Sequence, residues 1–235
     1  MAESGLIPGF MVAEYKYISS KYHAMIGVGS GPFLMDNIGQ HGENLTIAVL
    51  SMNRSSLTVR LMESVAKEIP DFAGEFLIGD NGSEETEKVI LRQAMRDMPY
   101  RCRMVEFDRN YGVAGGRNRL FCEAVTEWIF SLDNDIYFFK NPIEKMRSDI
   151  AQLGCHFLSM RLKDKENSKI SIYGGHLYLD DTGNEISAGG STAYIKCSID
   201  EDRTLDPFLC TFIPGGASIF RKETFFQCGG FDEGM

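Results

Sequence analysis

The chain has 235 residues, 43% of them hydrophobic and 24% charged, the composition of an ordinary folded protein and not of a disordered one. That length allows one large domain or at most two small ones, and it can bury a sizeable core without disulfide or metal staples. Thirty-three Asp and Glu outweigh 24 Lys and Arg, and the net charge of −9 disfavours a nucleic-acid partner and leaves an anionic ligand in need of a cation or backbone dipoles.

Residues 1–43 are rich in Gly and small polar side chains, carry no clear period and end in the turn-like Gln40-His41-Gly42-Glu43. They read as an N-terminal extension with a short strand around Ala24–Val28. Leu45–Leu50 is a nearly continuous apolar run, as expected of a strand buried on both faces. Ser51-Met52-Asn53-Arg54 breaks it. A helix follows, with Ser55 or Ser56 as cap, apolar Leu57, Leu61, Val65 and Ile69 on one face, and Pro70 as its stop. A second strand, Glu75–Gly79, leads into Asp80-Asn81-Gly82-Ser83. Ser83 suits the cap of the next helix, whose first turn carries Glu84 and Glu85 at the positive end of the dipole.

Cys102–Phe107 is a third strand, and Val113–Glu127 reads as helix despite Gly115 and Gly116. Trp128–Leu132 forms a fourth strand that runs into Asp133-Asn134-Asp135. Asn141, Pro142 and Glu144 then supply a cap, a first helical position and a capping-box acid. Cys155–Met160 is a fifth strand. Strand–helix units in succession predict a parallel sheet covered by helices on both faces. Beyond Leu162 comes a charged loop, Lys163–Lys169, and then Ile170–Leu179 and Glu185–Lys196 as hairpin strands around Asp180-Asp181-Thr182-Gly183. A last strand, Phe212–Phe220, and helix, Lys222–Gln227, precede Gly229-Gly230-Phe231-Asp232-Glu233. The expectation is one α/β domain with an appended β region.

The six cysteines stand singly with no C-x-x-C, which predicts reduced, mostly packed thiols in a cytosol. None of the four histidines has zinc spacing, and His156 and His176 read as structural or surface residues. Trp128 and the Phe138-Phe139 pair read as core. No uncharged apolar run is long enough to span a bilayer, and no secretory signal is read, so the expected location is cytoplasmic, with peripheral membrane attachment left open.

In an open parallel sheet, ligands bind beyond the C-terminal ends of the strands. Four such places are unusually polar here: Ser51–Arg54, Asp80–Ser83, Asp108–Asn118 and Asp133–Asp135. Asp133 and Asp135 can both turn toward a hard divalent cation, Mg2+ or Mn2+, that bridges to a diphosphate; a solvated turn explains the same residues about equally well. In Asp108–Asn118 the glycines allow close backbone approach, the helix start offers free N–H groups, and Arg117 can meet a phosphate. A dinucleotide fingerprint is excluded by the spacing. Asp80 can accept a hydrogen bond from a base or ribose, or simply close a turn. Pro214-Gly215-Gly216-Ala217 lets backbone approach a ligand, and a strand bend accounts for it as well.

In this order the motifs resemble the family 2 glycosyltransferases of GT-A fold: Ser51-Met52-Asn53-Arg54, Asp80-Asn81-Gly82-Ser83, Asn110-x-Gly112 leading to Arg117-Asn118, Asp133-Asn134-Asp135, and Gly215–Phe225 with Gly229–Glu233. The resemblance covers about residues 44–235. It implies a Rossmann-like GT-A domain with a mostly parallel central sheet flanked by helices and an appended β-hairpin, divided into a nucleotide-sugar-binding half, 44–140, and an acceptor-side region, 141–235. It further implies a hexosyltransferase-type enzyme that moves a sugar, with inversion, from a UDP-sugar in preference to a GDP-sugar onto a saccharide, lipid-linked or protein acceptor. Ser51, Asn53, Asp80, Asn110, Gly112, Arg117 and Asp133 would line the nucleotide-sugar site. Asp133 and Asp135 would match the DXD metal motif for Mn2+ or Mg2+, and Gly215 and Gly216 would lie on the acceptor side. The family's general base usually follows the Gly-Gly-Phe-Asp-Glu segment, so it is expected beyond Met235, with a partner or second copy covering that side. The alternatives are a nucleotide-sugar-binding domain without turnover and, lower, a nucleotidyltransferase, which would want a Gly-rich basic loop after the first strand.

Overall fold

A computed structural model describes residues 38–160, 162–163, 170–172, 175–181, 186–192, 213 and 215–234. The strand expected around Ala24–Val28, the loop from 164 to 169, the hairpin turn from Thr182 on, and Phe212 and Pro214 lie outside the described residues. In chain order the elements are β1 (Leu45–Ser51), α1 (Ser55–Glu68), β2 (Glu75–Asp80), α2 (Glu85–Arg96), β3 (Arg101–Glu106), α3 (Gly112–Glu123), β4 (Trp128–Leu132), α4 (Ile143–Leu153) and β5 (Phe157–Ser159). They continue as β6 (Leu162–Lys163), β7 (Ile170–Ile172), β8 (Gly175–Asp181), β9 (Ile186–Thr192), β10 (Ala217–Arg221) and α5 (Lys222–Gln227).

Six strands form one sheet in the order β3-β2-β1-β4-β10-β5. The β1–β2, β2–β3 and β1–β4 pairs are parallel, whereas β10 runs antiparallel to both β4 and β5. The fold is thus the expected mixed α/β, mostly parallel sheet. The inverted β10 follows from its connection: the chain leaves β5 and enters β10 at the same edge, so it needs no crossover helix. The expected hairpin is the antiparallel pair β8–β9, while Ile170–Ile172 pairs with β6 instead.

Alternate residues of the buried strands serve two cores. Ile47, Val49, Phe76, Ile78, Phe130 and Ile219 pack with Leu61, Met62 and Val65 of α1 and Ile143, Met146 and Ile150 of α4. Ala48, Leu77, Ile129 and Phe220 face the other way, onto Leu120 and Phe121 of α3 and Phe225 of α5. A Cβ on Gly116 would come within 2.8 Å of the Leu50 side chain, so glycine lets α3 lie close on β1. Trp128 is core as expected, but Phe139 is exposed, and only Phe138 of that pair packs inward, against Phe130. Of the described cysteines, Cys155 is buried and Cys102 half-buried, whereas Cys122 and Cys228 are exposed thiols; Cys197 and Cys210 lie outside the described residues. Burial pushes the Cys102 thiol up to about 12.

Several helix ends are finished by side chains from other elements. Neither Ser55 nor Ser56 caps α1; the Ser55 N–H donates to Glu87 Oε2 of α2 at 2.8 Å. Ser83 does not cap α2, because its hydroxyl accepts from the Asn53 N–H. Helix α3 stops at Glu123, four residues before the expected Glu127, and Lys222 Nζ donates to the Cys122 and Ala124 carbonyls at 2.9 and 2.7 Å. At α4, Asn141 Oδ1 accepts the Ile143 N–H, but Pro142 occupies the cap position. Among the described residues, no helix is long and apolar enough to cross a membrane.

Candidate functional site

The sheet register sets Ser51, Asp80 and Glu106 side by side at the C-terminal ends of β1, β2 and β3. Asp80 is fully buried. Its Oδ2 accepts the Ser83 N–H at 3.1 Å and lies 3.6 Å from Lys88 Nζ, whereas its Oδ1 is buried without a hydrogen-bond partner. An unsatisfied buried acceptor costs roughly 1–3 kcal/mol, and a ligand N–H arriving at that point relieves it. Lys88 also lies 3.5 Å from Glu106 Oε2, and the Glu106 carboxylate accepts from Arg92 Nε and Nη2 at 3.1 and 2.6 Å. Arg92 holds the Glu106 carboxyl below the usual range.

The loops around Asp80 are stitched to one another. Asn53 takes a left-handed φ of 49°, a conformation that Asn tolerates through its short polar side chain. Its N–H donates to Ser83 Oγ at 3.0 Å, and its Oδ1 accepts the Glu84 N–H at 2.9 Å. The Ser51 hydroxyl is occupied by Thr58 Oγ1 at 3.0 Å, and its carbonyl accepts the Asn81 N–H. Asn81 Nδ2 donates to Asn110 Oδ1 and the Gly112 carbonyl at 2.9 and 3.1 Å, and Asn81 Oδ1 accepts the Tyr111 N–H. Asn110 Oδ1 also accepts the Gly112 N–H at 2.8 Å. Asn81 therefore joins the Asp80 loop to the loop that opens α3.

Arg117, Asp133, Gly215 and Gly216 form a second group, beyond β4. Arg117 Nη2 donates to Asp133 Oδ1 at 2.5 Å, and the Asp133 N–H donates to the Gly216 carbonyl at 2.9 Å. A Cβ on Gly216 would lie 3.2 Å from Asp133 Oδ2, and one on Gly215 would lie 3.5 Å from Arg117 Nη1. Asp80 ends β2 and Asp133 directly follows β4, the two strands that flank β1, so they stand about 10 Å apart along the sheet edge. Asp135 is exposed; its carbonyl accepts from Arg60 Nη2 at 2.8 Å, and among the described residues its carboxylate has no partner. No group of three His, Cys, Asp or Glu among the described residues stands ready to cage a metal. Two carboxylates nevertheless fit a hard cation such as Mg2+, which is held by one or two protein carboxylates plus phosphate oxygens. Arg117 already claims one Asp133 oxygen, which leaves Asp135 the freer donor.

The Gly229–Glu233 segment returns to α3. Asn118 Oδ1 accepts the Phe231 N–H and Asn118 Nδ2 donates to the Phe231 carbonyl, both at 2.9 Å. Glu233 accepts from Asn118 Nδ2 and Arg119 Nη1 at 3.0 and 3.1 Å, and these contacts hold its carboxyl below the usual range. Arg119 also lies over the Tyr111 ring at 3.8 Å. His156 Nδ1 bonds Thr224 Oγ1 at 2.8 Å, a structural contact as expected. Nothing in the local sequence marks Lys88 or the linking role of Asn81. A lysine on a helix face reads as a solvated charge, and Asn81 reads as part of a turn.

The sequence matches the profile described as glycosyl transferase family 2 over residues 46–226. No curated protein matches it significantly. Among solved structures, the mannosyltransferase PcManGT from Pyrobaculum calidifontis, in complex with GDP-Man and Mn2+, aligns at 14% identity and a TM-score of 0.54, covering 81% of this chain and 48% of that one. Residues 1–349 of S. aureus TarS align at 15% identity and a TM-score of 0.55, covering 81% and 50%. The same protein in complex with UDP gives 16%, 0.54, 81% and 51%. The chain thus spans about half the length of the solved structures it resembles, and at these identities they establish the fold alone.

Proposed function

The chain belongs to glycosyl transferase family 2, and from that premise we propose that it is the donor-binding part of an inverting glycosyltransferase that uses a UDP-sugar in preference to a GDP-sugar, with Mn2+ or Mg2+. The observation that carries this reading is the buried, unpartnered Asp80 Oδ1. It offers an acceptor to the ring N–H of a uracil base, at the strand edge where this fold class binds nucleotides. Proteins of the same fold hold GDP-Man with Mn2+ and UDP, which supports a nucleotide-sugar ligand.

In this reading Asp80 recognises the base, while Asn53, Asn110 and Gly112 hold the loops that shape its pocket. Ser51 forms the wall between Asp80 and α1. Arg117, paired with Asp133, sets a cation beside the diphosphate, and Asp135, with Asp133, would hold the divalent ion. That ion supplies charge neutralisation for the departing nucleoside diphosphate. Gly215 and Gly216, against Asp133 and Arg117, leave room for the transferred sugar and its acceptor. The engaged, acidified Glu233 is ill suited to remove a proton from an acceptor hydroxyl. That favours one second reading, a domain that binds nucleotide-sugar and takes its base from elsewhere.

Calorimetric titration with UDP and with GDP, each with and without Mn2+, tests the proposal. Metal-dependent binding of UDP, tighter than GDP, is the expected result. Absence of nucleotide binding under every condition would overturn the donor site. Transfer from a labelled UDP-sugar to a saccharide or lipid-linked acceptor separates the enzyme from the binding domain.

A further inference from the structure

We propose that Lys88 is the positioning residue that fixes the Asp80 carboxylate and thereby sets the choice of nucleobase. The inference rests on the donor-site reading of Asp80. Lys88 is one turn into α2, 84% of its side chain is removed from solvent, and its ammonium stands between two carboxylates, 3.6 Å from Asp80 Oδ2 and 3.5 Å from Glu106 Oε2. Glu106 is itself fixed by Arg92, which also pairs with Glu85 at 2.5 Å. A chain of alternating charge therefore runs from the buried Asp80 to the surface: Asp80, Lys88, Glu106, Arg92, Glu85.

This arrangement makes the two Asp80 oxygens unequal. Oδ2 is held by the Ser83 N–H and faces Lys88, so the carboxylate plane cannot tilt without losing both, and a half-turn only exchanges two equivalent oxygens. Oδ1 is left as one free acceptor at one place. A fixed acceptor meets an N–H only where the ligand carries it: uracil has its donor on the ring nitrogen between two carbonyls, whereas cytosine has an acceptor there and its donor on the exocyclic amine. A carboxylate free to rotate could satisfy either base. Lys88 thus acts through Asp80, with no need to touch the nucleotide.

The test titrates UDP and CDP, with Mn2+, into the parent chain, D80A, D80N, K88M, K88R and the double variant K88M/D80N, and records a thermal midpoint for each. In the parent, UDP is expected to bind more tightly than CDP. K88M is expected to weaken UDP binding about tenfold, the scale of coupling between residues in one network, and CDP binding less, so that the preference narrows. K88R keeps the preference, and K88M adds no further loss to D80N. Removing one partner of a buried pair can unfold a chain. If K88M does not fold, a preserved preference in K88R together with D80N-like binding in the double variant supports the proposal, and loss in either overturns it. A K88M protein that weakens both nucleotides alike would show a structural role only. If D80A loses UDP while K88M keeps parental affinity and preference, this inference falls and the donor site stands. A parent chain that does not bind UDP overturns both.

Discussion

Asp133 and Asp135 are two residues apart and chemically alike, yet the structure commits them differently. Asp133 answers the buried Arg117, while the Asp135 carboxylate is exposed with no partner among the described residues. Asp135→Asn should therefore fold with an unchanged thermal midpoint and lose the Mn2+-dependent part of UDP binding. Asp133→Asn should also lower stability, by about 1–3 kcal/mol, because it strips a charged partner from a buried guanidinium. Thermal unfolding and paired titrations with and without Mn2+ check both. Parental UDP affinity for Asp135→Asn in Mn2+ would remove it from the metal site. The positions of Asp80 and Asp133 were legible because acidic residues directly after apolar strands end up at one sheet edge. Lys88 was not, because its burial depends on the end of β3 meeting α2, a contact that no local pattern announces.

Helices and strands were legible in existence and order for a similar reason: continuous apolar runs and caps are local signals. Their ends were less so, since Glu87, Ser83 and Lys222 reach across to neighbouring elements and serve or leave ends that a local reading gives to adjacent residues. Gly82 shows how tightly such loops are joined. It has a φ of +83°, and a Cβ there would stand 2.9 Å from the Arg109 carbonyl carbon and 3.0 Å from the Asn110 nitrogen. The opposing backbone cannot easily retreat, because Asn81 bonds Asn110, Tyr111 and Gly112. Gly82→Ala is expected to cost about 1–3 kcal/mol, from backbone strain and contact together. Urea unfolding measures it directly, and a midpoint equal to the parent's would mean that the two loops part without cost.

Across the whole molecule, the sheet carries a larger core on the face of α1 and α4 and a smaller, Phe-rich one on the face of α3 and α5. The continuous apolar run of a strand such as Leu45–Leu50 foretold two buried faces, but nothing local foretold that β10 would be inverted. The smaller core is closed by Phe231, whose ring lies 5.1 Å from Phe225 and 6.1 Å from Phe121. Asn118 and Arg119 tie down the segment that carries this ring, through the Phe231 backbone and the Glu233 carboxylate. Because the folded Glu233 carboxyl is held below its ordinary value, near 4.3, its ties to Asn118 and Arg119 stabilise the segment at any pH above that value. The contribution is lost as pH falls through the lowered folded value. Amide NMR shifts of Gly229–Gly234 should then move below about pH 4.3, before the rest of the domain unfolds. Glu233→Gln should abolish that acid step while the two Asn118–Phe231 bonds persist, and Asn118→Ala should release the segment already at neutral pH. Shifts that stay fixed until global acid unfolding would mean that the Phe231 ring alone closes this face, and that the Glu233 ties contribute nothing to it.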